Sequence, residues 1–448
     1  MPPSIKNILD LRPSTSKEIQ AATGLSQSSV ARQIKKMGDR IVQLQRGRSV
    51  LYASTCNAFS SNDKLPLGIV DKFGRTVLIA YIRPLNSGGF FIEPVRTVSP
   101  FLMGEKKDGL YDDLPYFLFD LRPQGFLGRQ IARRMASQSD DFPSNIGYWT
   151  THHIGRYLIS NGDDLSGNFI FGDQAMLRVR RKPIAVSGID YSALAKSVMS
   201  GDLPGSSAGG EQPKFTAFNN ESSSHVIVKF SPEGDNEVAL RWRDILITEH
   251  HAAQILNSST FLAATSRLFE MNGRLFLETP RFDRLEKLGR LSMISLQAVD
   301  GEFAGLGSNW PKVMRKLFDN GVVTEQDVLS AESLWCFGRL INNTDMHLGN
   351  LSLSMEGDLL ILLPVYDMCS MGFAPKSSGE IQPFIFEPPN IQEVDIDEEQ
   401  MEIIKKAAHD FWENVASDDR ISIQFKNFLK QGNPIDLFSS DPSFFFRP

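Results

Sequence analysis

Late in this chain, two acids and an asparagine stand in a fixed order that few folds accommodate. Residues 341–351 read Ile-Asn-Asn-Thr-Asp-Met-His-Leu-Gly-Asn-Leu, and Leu-Pro-Val-Tyr-Asp-Met follows at 363–368. Asp345 and Asn350 are five residues apart, and Asp367 ends an apolar run seventeen residues further on. Phosphoryl transfer needs this order: one carboxylate orients the nucleophile's proton, while the Asn and the second Asp hold Mg²⁺ on the phosphates. An Asp-x4-Asn pair alone is weak evidence, so its weight depends on what precedes it.

Residues 205–214 read Gly-Ser-Ser-Ala-Gly-Gly-Glu-Gln-Pro-Lys. Gly and Ser at this density, Gly209 and Gly210 above all, let backbone amides approach a phosphate closely. Two antiparallel strands follow, and Lys229 ends the second, where its ammonium can neutralise phosphate charge. The periodicity then predicts a helix over Arg243–Leu256 with Glu249 as partner for Lys229, although Asp244 and His250 compete for that role. A strand from Gly273 places Leu277–Thr279, with Glu278 at its centre, as the hinge against adenine. Each residue has a bland reading: a surface strand lysine, a helix-face glutamate, a capping aspartate. Their order is what points to ATP-dependent transfer.

At 448 residues the chain exceeds a single core, and about two to four domains are expected. No apolar run approaches the ~20 residues of a membrane span, the N-terminus lacks a signal-peptide layout, and three scattered cysteines suit a reducing cytoplasm. Net charge is −6, yet residues 1–55 hold nine Lys or Arg against three acids, so that segment is +6 and the remainder −12. Only one end is therefore suited to nucleic acid. In it, Ile5–Leu11, Lys17–Ala22 and Gln27–Met37 read as helices, with Gly24 at the turn and Ser26 as a cap. A hairpin with Arg46 and Arg48 at its tip completes a winged helix-turn-helix pattern. Gln27, Ser28, Arg32, Lys35 and Lys36 would face DNA from the third helix, and Arg46 and Arg48 from the wing. The alternative is a protein-interaction module with a solvated basic face. The middle segment has β character and no evident chemistry; adjacent His152 and His153 read as packing or surface residues.

There is no His-Arg-Asp before the catalytic loop, and Tyr366-Asp367-Met368 stands where Asp-Phe-Gly would be. Thr344-Asp345-Met-His347-Leu-Gly-Asn350, Arg281-Phe-Asp-Arg284 and Val365-Tyr366-Asp367 resemble the motifs of the HipA family of bacterial kinase toxins. The stretch from Ser206 to Phe215 looks most like its HipH, or YjjJ, branch, in which a helix-turn-helix segment is fused to the toxin. The resemblance spans roughly residues 65–430. It implies an α+β, protein-kinase-like bilobal fold behind the N-terminal module. The units expected are 1–58 for that module, 65–180 for a β-rich subdomain, 181–280 for the N-lobe and 281–448 for the helical C-lobe. It implies a cytoplasmic bacterial serine/threonine kinase of a type II toxin–antitoxin system using ATP and Mg²⁺. Asp345 would be the base, Lys229, His347 and Asn350 nucleotide contacts, and Asn350 with Asp367 the metal ligands. Autophosphorylation would fall on Ser206 or Ser207. Expected partners are a protein substrate such as an aminoacyl-tRNA synthetase, DNA, a HipB-like antitoxin, and a second copy, since such modules often bind DNA as dimers.

Three rival functions share these residues. They are a DNA-binding regulator with an inert or ATP-sensing body, a small-molecule phosphotransferase, and a metal-dependent DNA-cleaving toxin.

Overall fold

The computed structural model describes residues 2–439 apart from 180, 201–211, 260, 377 and 392–393. Its N-terminal unit packs three helices, Ile5–Leu11, Ser16–Thr23 and Gln27–Met37, against a sheet of Ser14–Thr15, Ser49–Ser54 and Ile41–Arg46. The second helix starts at Thr15, whose hydroxyl accepts from the Glu18 amide while Glu18 accepts from the Thr15 amide, and it stops at Gly24 with φ +72°. Ile5, Leu9, Ile19, Val30 and Ile34 bury against one another as its core.

This unit is not tethered by a free linker. The inner face of its sheet (Val42, Leu44, Ala53) packs on Leu85 and Phe91 of the next unit. Arg83, only 2% exposed, clasps the junction: it donates to the carbonyls of Asp39 and Asp63 and to the carboxylates of Asp63 and Glu93. Phe59 stacks on Phe90 at 5.7 Å and lies over Gly155, where a Cβ would come within 2.3 Å of the ring.

The middle unit is a five-stranded sheet in the order Leu110–Tyr111, Phe90–Pro94, Thr76–Pro84, Leu65–Val70, Phe169–Phe171; helix Thr151–Asn161 sets Ile159 against Gly172 at the end of the last strand, while helix Gly125–Gln138 leans on strand Lys214–Asn219. His153 accepts from the Thr150 amide and closes the cap of helix Thr151–Asn161, so it is structural here, and His152 is exposed.

A second five-stranded sheet follows, in the order Arg267–Met271, Arg274–Pro280, Ser224–Phe230, Lys214–Asn219, Ala185–Val186. Its register puts Lys214 opposite Lys229, and Lys229 opposite Leu277. Side chains alternate across a strand. Phe215, Val228 and Phe276 therefore bury with Tyr191 on one face, and Lys214, Thr216, Ile227, Lys229 and Thr279 point to the other. The 22-residue helix Glu237–Ser258 lies beneath, longer than its expected span. Below it, helices Leu296–Phe303, Trp310–Asp319, Glu325–Leu340 and Glu398–Ser417 and the hairpin Ser352–Glu356/Leu359–Leu362 form the helical body.

Candidate active site

A cleft of about 1440 Å³, its open mouth included, runs between the second sheet and the helical body. Lys229 ends its strand inside this cleft. Its ammonium donates to both carboxylate oxygens of Glu249, at 2.6 and 2.7 Å, and also contacts Asp367. Of the three helix candidates only Glu249 reaches it. Asp244 accepts from the Ser422 amide and hydroxyl at 2.8 and 2.6 Å, and His250 pairs with Ser266 at 2.9 Å.

A buried ammonium between two carboxylates is stable only because each desolvated charge has a partner. Burial opposes the Lys229 charge, but Asp367 and Glu249 outweigh it and keep the lysine protonated. Burial likewise works against the Asp367 anion, yet the ammonium groups of Lys229 and Lys214 hold its pKa at about 2. Asp367 also sits at φ +55°, a region that Asp tolerates better than most residues and that clusters at functional sites.

The loop after helix Glu325–Leu340 is fastened to Asp367 by Asn343. That side chain, 2% exposed, accepts from the Asp345 amide at 3.1 Å and donates to the Asp367 carbonyl at 3.3 Å. One amide thus sets the spacing of the two acids. Sequence reasoning missed it because an asparagine within a loop carries no spacing signal of its own. Asn350 donates to the Asp345 carbonyl at 2.7 Å, which commits its nitrogen and leaves Oδ1 as the atom for a ligand. Tyr366 secures the same loop through Ser352 (2.7 Å) and the Gly349 carbonyl (3.0 Å).

Asp345 stands at the rim with its side chain about half exposed; partial desolvation there raises its pKa above the ordinary carboxylate value, His347 opposes that shift and Asp367 adds to it. His347 accepts from the Gly349 amide through Nδ1 at 3.0 Å, so its neutral form carries the proton on Nε2, 3.9 Å from Asp345.

Lys229, His347, Asn350 and Asp367 therefore line one cleft with Asp345 at its edge. Glu278 does not join them. It falls on the opposite face of its strand, 4% exposed, and accepts from Tyr191, Asn219 (2.8 Å) and Arg267 (3.0 Å). The Glu278 side chain thus lies away from the cleft, within the strand expected as the hinge; Thr279, one residue on, faces the cleft. Ser206, Ser207, Gly209 and Gly210 lie outside the described residues. The residues expected on DNA, Gln27, Ser28, Arg32, Lys35, Lys36, Arg46 and Arg48, are all exposed, and Arg46 also pairs with Asp108 of the middle unit at 3.0 Å. That pair links the wing to the middle unit.

The middle unit, read from sequence as without chemistry, supplies Asp120, Arg122 and Gln124 to the cleft wall. Arg281-Phe-Asp-Arg284 forms a buried brace beneath it. Asp283 accepts from Arg281 (2.9 Å), Arg284 (2.6 Å) and the Gly167 amide (2.8 Å), and Asp164 accepts from Arg284 at 3.0 Å. Asp164 and Gly167 belong to the middle unit, so the brace locks it to the cleft.

The protein oxygens of Asp367 and Asn350 suit a hard cation such as Mg²⁺, which usually takes one or two protein ligands and completes its shell with substrate phosphates and water. Among the described residues, no group of three or more His, Cys, Asp or Glu could hold a metal without such help. No helix among them is long and apolar enough to cross a membrane.

Comparisons with known proteins give the family and the fold. Residues 61–180 match the family model of the YjjJ-like toxin middle domain, and residues 206–425 that of the HipA-like C-terminal domain. Toxin YjjJ of Escherichia coli (strain K12) is 34% identical over 429 residues, covering 94% of each chain. Among solved structures, a chain of the Shewanella oneidensis MR-1 complex of HipA, HipB and operator DNA superimposes with a TM-score of 0.53. It is 15% identical over 82% of this chain and 94% of that one, a likeness of fold.

Proposed function

The chain belongs to the HipA family, in its YjjJ-like branch, and on that premise we propose that it is an ATP-dependent serine/threonine protein kinase acting as the toxin of a toxin–antitoxin pair. The observation that carries this reading is Lys229, held by Glu249 and touching Asp367 in the cleft that Asn350 lines. Lys229 is placed to neutralise the α- and β-phosphates. Asp345 accepts the proton of the substrate hydroxyl as its oxygen bonds to the γ-phosphorus and the bond to the β–γ bridging oxygen breaks. Asn350 and Asp367 would hold Mg²⁺, which supplies charge neutralisation on the phosphates when bound. Asn343 keeps base and ligand in register. The acceptor, by family likeness a translation component such as an aminoacyl-tRNA synthetase, is part of the proposal. So is autophosphorylation at Ser206 or Ser207.

The raised pKa of Asp345 suits a base and gives a test. A base with an elevated pKa is protonated, and its function abolished, as pH falls through that value. Transfer of labelled phosphate from Mg·ATP is expected to decline on the acid side with an apparent pKa above the ordinary 3.8. Asp367, at about 2, stays ionised throughout. An activity flat down to pH 4 contradicts this role for Asp345.

We also propose that the N-terminal unit binds duplex DNA as a winged helix-turn-helix, and that it is the part through which a HipB-like antitoxin or a second copy is brought in. Its exposed Arg32, Lys35, Lys36 and Arg48 support this. Replacing Arg32 and Lys35 by Ala is expected to weaken DNA binding and flatten the log K against log salt slope by ~0.9 for each phosphate that is no longer neutralised. Phosphotransfer should not change. A fluorescence titration across salt concentrations measures it; an unchanged slope counts against the assignment.

A further inference from the structure

Arg122 has a task that nothing in the transfer chemistry uses. The segment from Phe119 to Phe126 runs along the cleft between its two sides. At one end Asp120 accepts from the amide and hydroxyl of Ser295, both at 2.6 Å, at the cap of helix Leu296–Phe303. At the other, Phe126 packs into the core of the second sheet. Between them Arg122 and Gln124 face the cavity. The guanidinium carbon lies 3.7 Å over the Phe119 ring, and Nε donates to the Phe119 carbonyl at 3.1 Å. These contacts fix the plane of the group. Neither Nη nitrogen makes a hydrogen bond among the described residues, although the group is half-buried. Its charged neighbours are Asp120, committed to Ser295, and Asp113, which accepts from Thr151 and the Leu114 amide. A fixed guanidinium with a free fork is suited to bidentate pairing with a carboxylate or phosphate.

Lys229 and Lys214 already serve the end of the cleft that holds Asp367. Arg122 instead follows Asp120, which is bonded to Ser295 at the cap of helix Leu296–Phe303, and we infer that its anion enters with the acceptor. We propose that Arg122, assisted by Gln124, is an oxyanion-recognition site contributed by the middle unit, selecting a protein acceptor whose serine or threonine is flanked by a carboxylate or a phosphate. The inference rests on the phosphotransferase reading only for the word acceptor.

The test uses the full chain loaded with Mg·ADP and three labelled serine peptides, flanked by Glu, by phosphoserine or by Gln, followed by fluorescence anisotropy. The wild type should bind one or both anionic peptides at least ~10-fold more tightly than the Gln peptide, a difference of ~1.4 kcal/mol. The stronger of the two tells carboxylate from phosphate. Arg122→Gln should abolish the preference, Arg122→Lys should keep a reduced one because charge survives without the fork, and the exposed Arg96→Gln should keep all of it. Nucleotide affinity should stay unchanged in all three. Equal binding of the peptides by the wild type, retention of the preference in Arg122→Gln, or a loss of Mg·ATP affinity in that variant overturns the proposal. An Arg122-dependent preference without any phosphate transfer leaves this site standing and sinks the kinase reading instead.

Discussion

Replacing Asp367 by Asn is expected to lower Mg²⁺-dependent phosphoryl transfer by ~10²–10³-fold or more, while thermal unfolding stays near that of the wild type. The magnitude is that of losing a preorganised charge at a site of transition-state stabilisation. The amide is the same size as the carboxylate and carries no charge, so both the cation and Lys229 lose a counter-ion. The fold should hold for three reasons. Lys229 keeps Glu249, the Asn343 bond goes to the backbone carbonyl of residue 367, and Asn accepts the left-handed φ of +55° as readily as Asp. Radiolabel transfer and a melting curve on the same preparation measure the two halves. Full turnover with Mg²⁺ removes Asp367 from the metal site.

The largest loss of stability is expected from Asp283→Ala. Asp283 neutralises two guanidinium groups in a site where all three side chains are at most 5% exposed. Its removal leaves Arg281 and Arg284 to the half-exposed Asp164 and strips the Gly167 amide of its acceptor. Breaking a buried pair by removing one partner costs ~3–5 kcal/mol, and here it also unfastens the middle unit from the cleft. Burial opposes the Asp283 anion, but Arg281 and Arg284 hold its pKa well below the ordinary range. A depressed folded-state pKa contributes stability that is present at neutral pH and lost as pH falls through the folded-state value. Asp283→Ala should therefore unfold at a markedly lower temperature at pH 7, and the gap from wild type should narrow in acid. Wild-type melting at pH 7 contradicts the brace.

The residues proposed for catalysis were legible because the proposed chemistry fixes their spacing. Asp345, Asn350 and Asp367 lie on one loop and the residue run after it, and Lys229 ends a strand whose apolar pattern marks its inward face. Glu249 was readable only as one of three, since periodicity cannot tell which carboxylate of a buried helix meets a lysine across the cleft. The direction of the Glu278 side chain was not legible for a related reason: three consecutive hinge residues cannot all face one side, and pairing Glu278 with Val228 turns its side chain toward Tyr191. Asp120 and Arg122 left no local signal, because Asp120 meets Ser295 across 175 residues of chain. Arg46 has the sequence signature of a wing tip, and only the fold brings Asp108 against it. The three-helix unit was legible almost to the residue, its caps and turn glycine being local chemistry.

The most direct test of the central claim is intact-mass spectrometry of the purified chain after incubation with Mg·ATP, beside the Asp345→Asn variant. The account predicts a gain of phosphate in the wild type, localised to Ser206 or Ser207, and none in the variant. A wild type that binds ATP yet never gains phosphate and transfers none to any protein, or a variant that gains as much as the wild type, contradicts it.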